Sequence, residues 1–238
     1  MNRVILSAST DETILAVTRQ HKLVDLEIEQ QINTEIVGCI YKGVVKNIVP
    51  AVDGIFVDIG IGKNAFLRRK DLLNEKRFPT EGSPILAQVI KSDTDMKGAL
   101  ITEKISMFGK YAVTLSGTGY IGVSKKIRQE SVRKRLKEIG KEICAEHMGL
   151  IIRTAAENAD MDEFRKDITR LKENWDIIQK RFRMEKSPTL LYRESDIIVK
   201  ALRDYVNKGT EILITDNRKI YERICKLNEL SLIHISEP

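Results

Sequence analysis

The sequence has few cysteines and histidines, and those present are scattered. Its three cysteines, Cys39, Cys144 and Cys225, form no C-x-x-C pair, and its three histidines are isolated from one another. This spacing excludes a disulfide scaffold, a zinc ribbon and a histidine-rich metal site. Because an odd number of dispersed cysteines indicates free thiols, we expect a reducing, cytoplasmic location.

Long apolar runs are also missing. No run of about 18 apolar residues occurs, and the N-terminal MNRVILSAST has no apolar core of the length found in secretory signals, so we expect neither a membrane span nor an export signal. Hydrophobic residues make up 42% and charged residues 31% of the 238 residues. This composition is typical of a folded protein of one large or two to three small domains.

Charge of one sign is in modest excess. Forty Lys and Arg residues stand against 34 Asp and Glu, giving a net charge of +6. A polyanionic partner is compatible with this excess but not required by it. The most basic stretch, residues 125–141, contains only two acidic residues. It can be either a solvated helix face or a surface for a phosphate backbone.

Periodicity and turn residues divide the chain into four stretches. Residues 1–35 contain three short β-prone runs, and residues 36–108 contain many short strands separated by turn residues, which indicates a small barrel. Residues 109–189 begin with a strand and continue with a basic helix, a further strand and a long helix. Residues 190–238 have a helix–strand–helix pattern, with Gly209 as the expected C-cap of the first helix. We expect this stretch to pair with the N-terminal strands across the two middle stretches.

The long helix is the clearest element of the sequence. Asp160, with Glu163 three residues later, predicts an N-cap, and Ser187–Pro188 closes the segment. The apolar residues recur at intervals of three and four, as one face of a helix requires. They are Met161, Phe164, Ile168, Leu171, Trp175, Ile178 and Phe182.

A glycine motif, Gly117-x-Gly119-x-x-Gly122, formally matches the dinucleotide-binding fingerprint. It follows a strand, but no complete βαβ unit surrounds it. A glycine-rich turn is the simpler interpretation, and a nucleotide-dependent enzyme is a minor alternative. Two acidic groups are interpreted as a loop and as helix capping rather than as metal sites. They are Asp93, Asp95 and Glu103, and Asp160, Asp162 and Glu163.

Two phenylalanines in the second stretch suggest a nucleic-acid surface. In GIFVDIG the alternation predicts that Ile55, Val57 and Ile59 are buried and that Phe56 points outward, and Phe66 follows on the next strand. Exposed aromatics with a cationic rim are typical of surfaces that stack unpaired bases. The alternative is that both phenylalanines belong to the core. The predicted rim consists of Lys42, Lys63, Lys91 and Lys97.

Arg153 and Thr154 follow a short apolar strand, which gives them a fixed position. A guanidinium can bond two phosphate oxygens at once, and a threonine hydroxyl can donate a further hydrogen bond. From the residues alone, an ion pair between Arg153 and Glu157 is equally compatible with the sequence.

The GIFVDIG and NAFL segments resemble an S1 RNA-binding domain, which is an OB-fold barrel. The chain as a whole resembles the ribonuclease E/G family of bacterial endoribonucleases in IYKGVVKNIVPAVDGIFVDIG, KGALITEKISMFGKY, MGLIIRTAAENA and ESDIIVKALRDY, in the family's order. The resemblance implies an α+β multidomain protein. An S1-type barrel (36–108) and an α/β 5′-sensor domain (109–189) would be inserted in a partial RNase H-like α/β domain (1–35 and 190–238).

The resemblance also implies site residues. For RNA binding these are Phe56, Phe66 and Lys97, to which the pattern of the residues themselves adds Lys42 and Lys91 of the rim. For a 5′-monophosphate pocket they are Gly109, Val113, Lys125, Arg153 and Thr154. Lys125 stands where the family usually has an arginine, so the charge is kept but the planar fork is lost. Ile59 stands where some members have an aromatic residue.

By resemblance, the parent protein is an endonuclease of rRNA processing and mRNA decay that hydrolyses single-stranded RNA. Its catalytic carboxylates, which hold Mg²⁺, and a cysteine pair that shares Zn²⁺ between the subunits of a homo-oligomer would lie downstream of residue 238. We therefore expect this chain to be the substrate-handling half, without catalytic residues, bound metal or activity of its own. The final SLIHISEP does not continue the preceding helix pattern, as expected of a truncated chain. The alternative is a non-catalytic S1-type RNA-binding protein.

Overall fold

The computed structural model describes residues 2–30, 36–76, 78–94, 96–144, 148–193, 197–206 and 212–231. They form two compact units, one made of Met1–Glu35 with Ser195–Pro238 and the other of Ile36–Glu194. The strands are β1 (Asn2–Ala8), β2 (Glu12–Arg19), β3 (Lys22–Gln30), β4 (Ile40–Val49), β5 (Gly54–Asp58), β6 (Ala65–Arg68), β7 (Pro84–Lys91), β8 (Leu100–Thr102), β9 (Ser106–Phe108), β10 (Ala112–Ser116), β11 (Ile121–Val123), β12 (Met148–Ile152), β13 (Thr189–Tyr192) and β14 (Ile212–Thr215). The α-helices are α1 (Glu130–Ile143), α2 (Met161–Met184), α3 (Ile197–Asp204) and α4 (Arg218–Ser231).

The first unit is a four-stranded sheet with the order β14-β1-β2-β3. Strands β1 to β3 form an antiparallel meander, and β14 joins β1 in parallel. This confirms the prediction that the C-terminal segment pairs with the N-terminal strands. Alternation along the strands buries Val4, Leu6, Leu15 and Val17 in one core with α3 and α4.

The second unit contains a closed barrel of five strands, β4, β5, β6, β8 and β7. Strand β4 closes it, because Ile40–Val44 pair with β7 whereas Val44–Val49 pair with β5. Strand β13 adds to β4 outside the barrel. Inward residues such as Ile55, Val57 and Leu67 are fully buried, as alternation along a strand with one solvated face requires.

The second unit also contains a sheet with the order β11-β12-β10-β9. Strand β10 is antiparallel to β9 and β12, and β11 is parallel to β12. Strands β9, β11 and β12 therefore run in one direction, and their C-terminal ends share one edge of the sheet. Helices α1 and α2 cover one face, where Ala112 and Ile152 are buried against Leu136 and Phe164.

Helix α2 forms as its sequence pattern predicts. The Asp160 carboxylate accepts hydrogen bonds from the backbone N–H groups of Asp162 (2.9 Å) and Glu163 (3.2 Å). The Glu163 carboxylate does not complete a capping box but accepts the hydroxyl of Tyr111. The apolar stripe faces the core, with Phe164, Ile168, Leu171 and Ile178 buried and Met161, Trp175 and Phe182 partly buried.

The dinucleotide interpretation of the glycine motif is wrong. Gly122 lies within β11, and the next helix begins only at Glu130, so the glycines do not open a helix aimed at a pyrophosphate. Gly117 has φ +70°, which is the backbone of a tight turn.

Two further expectations concern membranes and thiols. In the part of the chain that the structure describes, no helix is both long and apolar enough to cross a membrane. Cys39, Cys144 and Cys225 are free thiols, as predicted. The predicted C-cap at Gly209 lies outside the described residues.

Candidate RNA interface

Phe56 and Phe66 form a cross-strand pair on the outer face of the barrel. They are direct partners in the β5–β6 register, with ring centroids 5.4 Å apart and ring planes at 52°. Because Ile55 and Val57 are fully buried on the opposite face, both rings lie outside the core. Both side chains are half-buried, so the alternative that they are core residues is wrong.

The pair is the centre of a longer row. In register, Asn47 of β4 lies opposite Phe56, Leu100 of β8 opposite Phe66, and Lys91 of β7 opposite Leu100. Cross-strand partners share a sheet face. We call these five residues the barrel row: an apolar centre with the exposed Asn47 and Lys91 at its ends. At about 4.8 Å between strands, the row is about 19 Å long.

Gly54 sets the position of the Phe66 ring. A Cβ atom added at Gly54 would lie 2.2 and 2.3 Å from Cε2 and Cζ of Phe66. The ring therefore lies against the backbone of Gly54, and no larger residue fits beneath it. The sequence signal for this contact is a glycine two residues before Phe56, on the same strand face.

Two of the predicted rim lysines lie where the sequence places them. Lys91 ends the barrel row, and Lys97 is exposed in the loop before β8. This loop is held against the start of β6, because the Lys63 ammonium donates to the Thr94 carbonyl (2.9 Å) and the Phe66 N–H to the Ala99 carbonyl (2.7 Å). The positive charges of Lys91 and Lys97 therefore lie on the side of the barrel that carries the phenylalanines.

Lys42 is placed elsewhere, which corrects the prediction for this residue. Its ammonium donates to the carbonyls of Phe182 (2.6 Å) and Glu185 (2.7 Å) and lies 5.0 Å from the Phe182 ring centroid. Only 9% of the residue is exposed. Lys42 therefore satisfies the last carbonyls of α2, which have no partner within the helix, and does not belong to the cationic rim.

Four of the five predicted sensor residues meet at one sheet edge. Gly109 follows β9, Lys125 follows β11 by two residues, and Arg153 and Thr154 follow β12. The backbone N–H of Ser124 donates to the carbonyl of Ile152 (2.8 Å), which continues the pairing beyond the strands. We call this group, Gly109, Lys125, Arg153 and Thr154, the phosphate corner.

Side-chain contacts join the segments of the phosphate corner. The Arg153 guanidinium donates to the Gly109 carbonyl through Nη1 (2.8 Å). The hydroxyls of Thr154 and Ser124 are 3.1 Å apart, within hydrogen-bond distance. Ser124 was missed by sequence reasoning, because only the parallel pairing of β11 and β12 brings it to Thr154.

Val113, the fifth predicted residue, lies one position inside the edge. It is the second residue of β10, paired with Phe108 on one side and Ile151 on the other. Its half-buried side chain is on the sheet face opposite the helices. Val113 therefore belongs to the face beside the phosphate corner rather than to the corner itself.

A buried carboxylate holds the loop of the phosphate corner. Asp167 accepts the N–H groups of Lys110 (3.2 Å) and Tyr111 (2.8 Å) and pairs with Arg170 (2.8 Å), and it is only 6% exposed. A Cβ atom at Gly109 would lie 2.4 Å from its Oδ2, so no side chain fits there. The sequence signal was an acidic residue inside the apolar stripe of α2.

The tyrosine beside this loop is held as a neutral donor. Burial, followed by the hydrogen bond to Glu163, raises the pKa of Tyr111 well above its usual value. Its hydroxyl therefore keeps its proton and donates to Glu163 across the physiological range.

The described residues do not fit a metal centre. Among them, no three His, Cys, Asp or Glu side chains are grouped to hold an ion. The Glu103 carboxylate accepts the N–H of Leu73 (2.9 Å), with its pKa raised by burial, and Asp160 caps α2. Asp95 lies outside the described residues. We therefore assign no Mg²⁺ or Zn²⁺ chemistry to these side chains.

Two family models match this chain, one over the barrel and one from β9 to near the end of the chain. The S1 RNA binding domain model matches residues 34–102, and the ribonuclease E/G family model matches residues 106–236, more than half of the chain. The first match covers the barrel and the second covers the phosphate corner.

Individual relatives match over nearly the whole chain. Ribonuclease G of Escherichia coli (strain K12) is 32% identical over 93% of this chain and 49% of its own length. Ribonuclease G of Haemophilus influenzae is 30% identical over 98% of the chain and 51% of its own length. Ribonuclease E of Buchnera aphidicola subsp. Schizaphis graminum is 31% identical over 93% and 25%. The chain thus spans about half the length of the ribonuclease G relatives.

Proposed function

The chain belongs to the ribonuclease E/G family, and from this premise we propose that it binds single-stranded RNA and senses a 5′-monophosphate for an endoribonuclease of RNA processing and decay. The observation that carries the proposal is the Phe56–Phe66 pair, which lies outside the core of an S1-type barrel. The parent enzyme would hydrolyse phosphodiester bonds of single-stranded RNA.

The barrel row supplies the first contact with RNA. Unpaired bases can stack on Phe56 and Phe66 whatever their identity, because every base has a π-face. Lys91 and Lys97 add positive charge beside the rings for the phosphate backbone. A base-paired duplex hides its base faces, so the barrel row favours single strands.

The phosphate corner supplies the second contact. A terminal phosphate carries nearly two negative charges and three acceptor oxygens. The fork of Arg153, the hydroxyl of Thr154 and the charge of Lys125 offer complementary donors, and the Arg153 contact with the Gly109 carbonyl holds them beside the loop that follows β9. A triphosphate is bulkier and more charged, and we expect the corner to accept it less well than a monophosphate.

We assign hydrolysis itself to residues outside these 238. Binding energy from the 5′ end would then orient the scissile bond in a catalytic domain, with Mg²⁺ supplying the Lewis acid there and Zn²⁺ joining subunits of a homo-oligomer. A cytoplasmic location is part of the proposal and is supported by the three free thiols.

Binding of one RNA with a 5′-monophosphate or a 5′-hydroxyl tests the sensor role. The wild-type chain should prefer the monophosphate. Arg153→Ala should reduce that preference by about ten- to 150-fold, since hydrogen bonds to charged groups contribute about 1.5–3 kcal/mol. Arg153→Lys keeps the charge but not the planar fork, so its preference for the monophosphate should lie between those of the wild type and Arg153→Ala.

Arg165→Ala is the matched control, because Arg165 forms an exposed ion pair with Glu142 (3.0 Å) on the same unit. It should bind both RNAs like the wild type. Equal wild-type affinity for the two RNAs would refute the sensor role. An equal loss of 5′-monophosphate preference in the Arg165 and Arg153 variants would show that the effect comes from overall positive charge and not from a specific contact of Arg153.

A further inference from the structure

Helix α1, which contains much of the basic stretch 125–141, carries a stripe of lysines on its solvent side. The buried residues of this helix are Leu136, Ile139 and Gly140. On the side facing away from them, three exposed lysines lie within about 60° of one another, since successive residues of an α-helix are about 100° apart. The stripe is about 10 Å long at 1.5 Å per residue. We call this set the lysine stripe, and its members are Lys134, Lys137 and Lys141.

The lysine stripe is not neutralised by the acidic residues of its own helix. Glu130 pairs with Arg133 (3.8 Å) and Glu142 with Arg165 (3.0 Å). Glu138 borders the stripe, but among the described residues no carboxylate forms an ion pair with it. Neighbours in the stripe are three and four residues apart, and like charges at this spacing destabilise a helix. Such a local cost to stability is typical of a functional surface.

The loop before α1 joins the lysine stripe to the phosphate corner. The Arg133 guanidinium donates through Nη1 to the carbonyls of Ser124 (2.7 Å) and Ile127 (3.0 Å), which holds the loop against the first turn of the helix. The exposed cations of this loop are Lys125, Lys126 and Arg128. Positive charge therefore continues from the phosphate corner along α1 on a surface that is fixed by hydrogen bonds.

The side chains of the lysine stripe suit the backbone of a nucleic acid better than its bases. Helix α1, with the sequence ESVRKRLKEIGKEI, contains no aromatic residue and so offers no ring on which a base can stack. A lysine ammonium binds phosphate as a point charge. Because every RNA strand carries successive phosphates, a row of lysines can neutralise several of them whether or not the bases are paired.

We propose that the lysine stripe is a further RNA-binding surface, which holds the phosphate backbone of paired and unpaired segments alike. It differs from the barrel row, which needs unpaired bases, and from the phosphate corner, which needs a terminal phosphate. RNA is favoured over an acidic protein as the occupant, because the stripe continues the charge of the phosphate corner on the unit that contains the S1-type barrel. The stripe thus adds affinity for folded RNAs, whose paired segments cannot stack on the barrel row.

The salt dependence of binding tests the lysine stripe. The two probes are a single-stranded RNA and a blunt duplex of the same length, both with 5′-hydroxyl ends so that no terminal phosphate enters the phosphate corner. Each lysine that neutralises a phosphate contributes about 0.7 to the slope of log K against log salt on a single strand and about 0.9 on a duplex. Replacing two lysines, as Lys134→Gln with Lys141→Gln, should therefore make the slopes shallower by about 1.4 and about 1.8. At 0.1 M salt this corresponds to about 25-fold weaker binding of the single strand.

The matched control is Lys219→Gln with Lys226→Gln on α4. These exposed lysines have the same i to i+7 spacing, and α4 has 14 residues like α1 but belongs to the other unit. This control should leave both slopes unchanged. Lys134→Arg with Lys141→Arg keeps the charge and should retain the wild-type slopes. Glutamine forms helices nearly as well as lysine, and urea unfolding of each variant verifies that the fold is kept.

The outcomes separate this proposal from the sensor function. Unchanged slopes in the α1 glutamine variant, or an equal change in the α1 and α4 variants, would overturn the proposal and make the stripe an ordinary solvated helix face. A change with the single strand alone would overturn binding of the backbone irrespective of base pairing. The α1 glutamine variant should keep the wild-type preference for a 5′-monophosphate over a 5′-hydroxyl. Absence of that preference in the wild type would refute the sensor function without altering these slopes.

Discussion

The substitution Gly54→Ala tests whether the barrel row works through the position of its rings. The added methyl carbon would lie 2.2–2.3 Å from two Phe66 ring carbons. Ordinary contact between carbons is at about 3.5–4.0 Å, so the ring must move by about 1.2–1.8 Å. That movement breaks the alignment with Phe56, whose ring centroid is 5.4 Å from that of Phe66.

The expected loss in binding comes with only a modest loss in stability. Displacing one stacking ring should cost about 1–3 kcal/mol in affinity, or about 5- to 150-fold. Overpacking costs about 1–3 kcal/mol in a tight core, but here the end of a half-buried ring can swing into solvent. Replacing a glycine in a strand also stabilises the folded state by about 0.5–1 kcal/mol, because glycine loses more backbone freedom on folding than alanine. The free energy of unfolding should therefore fall by less than about 2 kcal/mol.

Fluorescence anisotropy with a labelled single-stranded RNA measures the affinity, and urea unfolding measures the stability. Gly119→Ala is the matched control, since nothing lies within 4 Å of its added Cβ. Because Gly54→Ala acts through the ring, combining it with Phe66→Ala should weaken binding no further than Phe66→Ala alone. Wild-type affinity in Gly54→Ala, or additive losses in the double variant, would refute the reasoning.

Three other perturbations test separate parts of the structure. Asp167→Asn should lower the free energy of unfolding by about 1–3 kcal/mol and weaken the 5′-monophosphate preference, because the N–H groups of Lys110 and Tyr111 lose a charged acceptor; unchanged urea midpoints would contradict it. Ser7→Ala should destabilise the first unit at neutral pH. The hydrogen bond from the Ser7 hydroxyl, and to a smaller extent that from the Ala8 N–H, lowers the pKa of Asp216 below its usual 3.8. This stabilisation is present above pH 3.8 and is lost as the pH falls through the lowered pKa, so the two proteins should converge in acid unfolding. The purified chain should not cleave RNA with or without Mg²⁺. If it does cleave RNA and a chelator abolishes the activity, these 238 residues are sufficient for hydrolysis, and the non-catalytic alternative is excluded.

Local patterns in the sequence were sufficient for much of the fold. Alternation in GIFVDIG placed Ile55 and Val57 inside and Phe56 outside, and the three-and-four spacing after Asp160 gave α2 with its cap. These predictions hold because periodicity and capping depend on residues within a few positions of each other. The resemblance to an S1 domain then added the barrel topology, which no single strand specifies.

Contacts between distant residues could not be predicted in the same way. Lys42 was assigned to the cationic rim because it is a lysine near the barrel, yet its partners are the carbonyls of Phe182 and Glu185, 140 and 143 residues away. The Asp167 contact with the Gly109 loop likewise depends on how α2 packs on the sheet. The three-domain boundaries and the RNA and phosphate contacts remain predictions.

The central claim is that single-stranded RNA stacks on Phe56 and Phe66, and one measurement tests it most directly. The affinity of the chain for a single-stranded RNA is compared between wild type and the Phe56→Ala, Phe66→Ala double variant, with urea unfolding to verify folding. We predict a loss of about 1–3 kcal/mol for each base that stacks on the pair. Equal affinity in two folded proteins would contradict the claim and would require RNA to bind elsewhere.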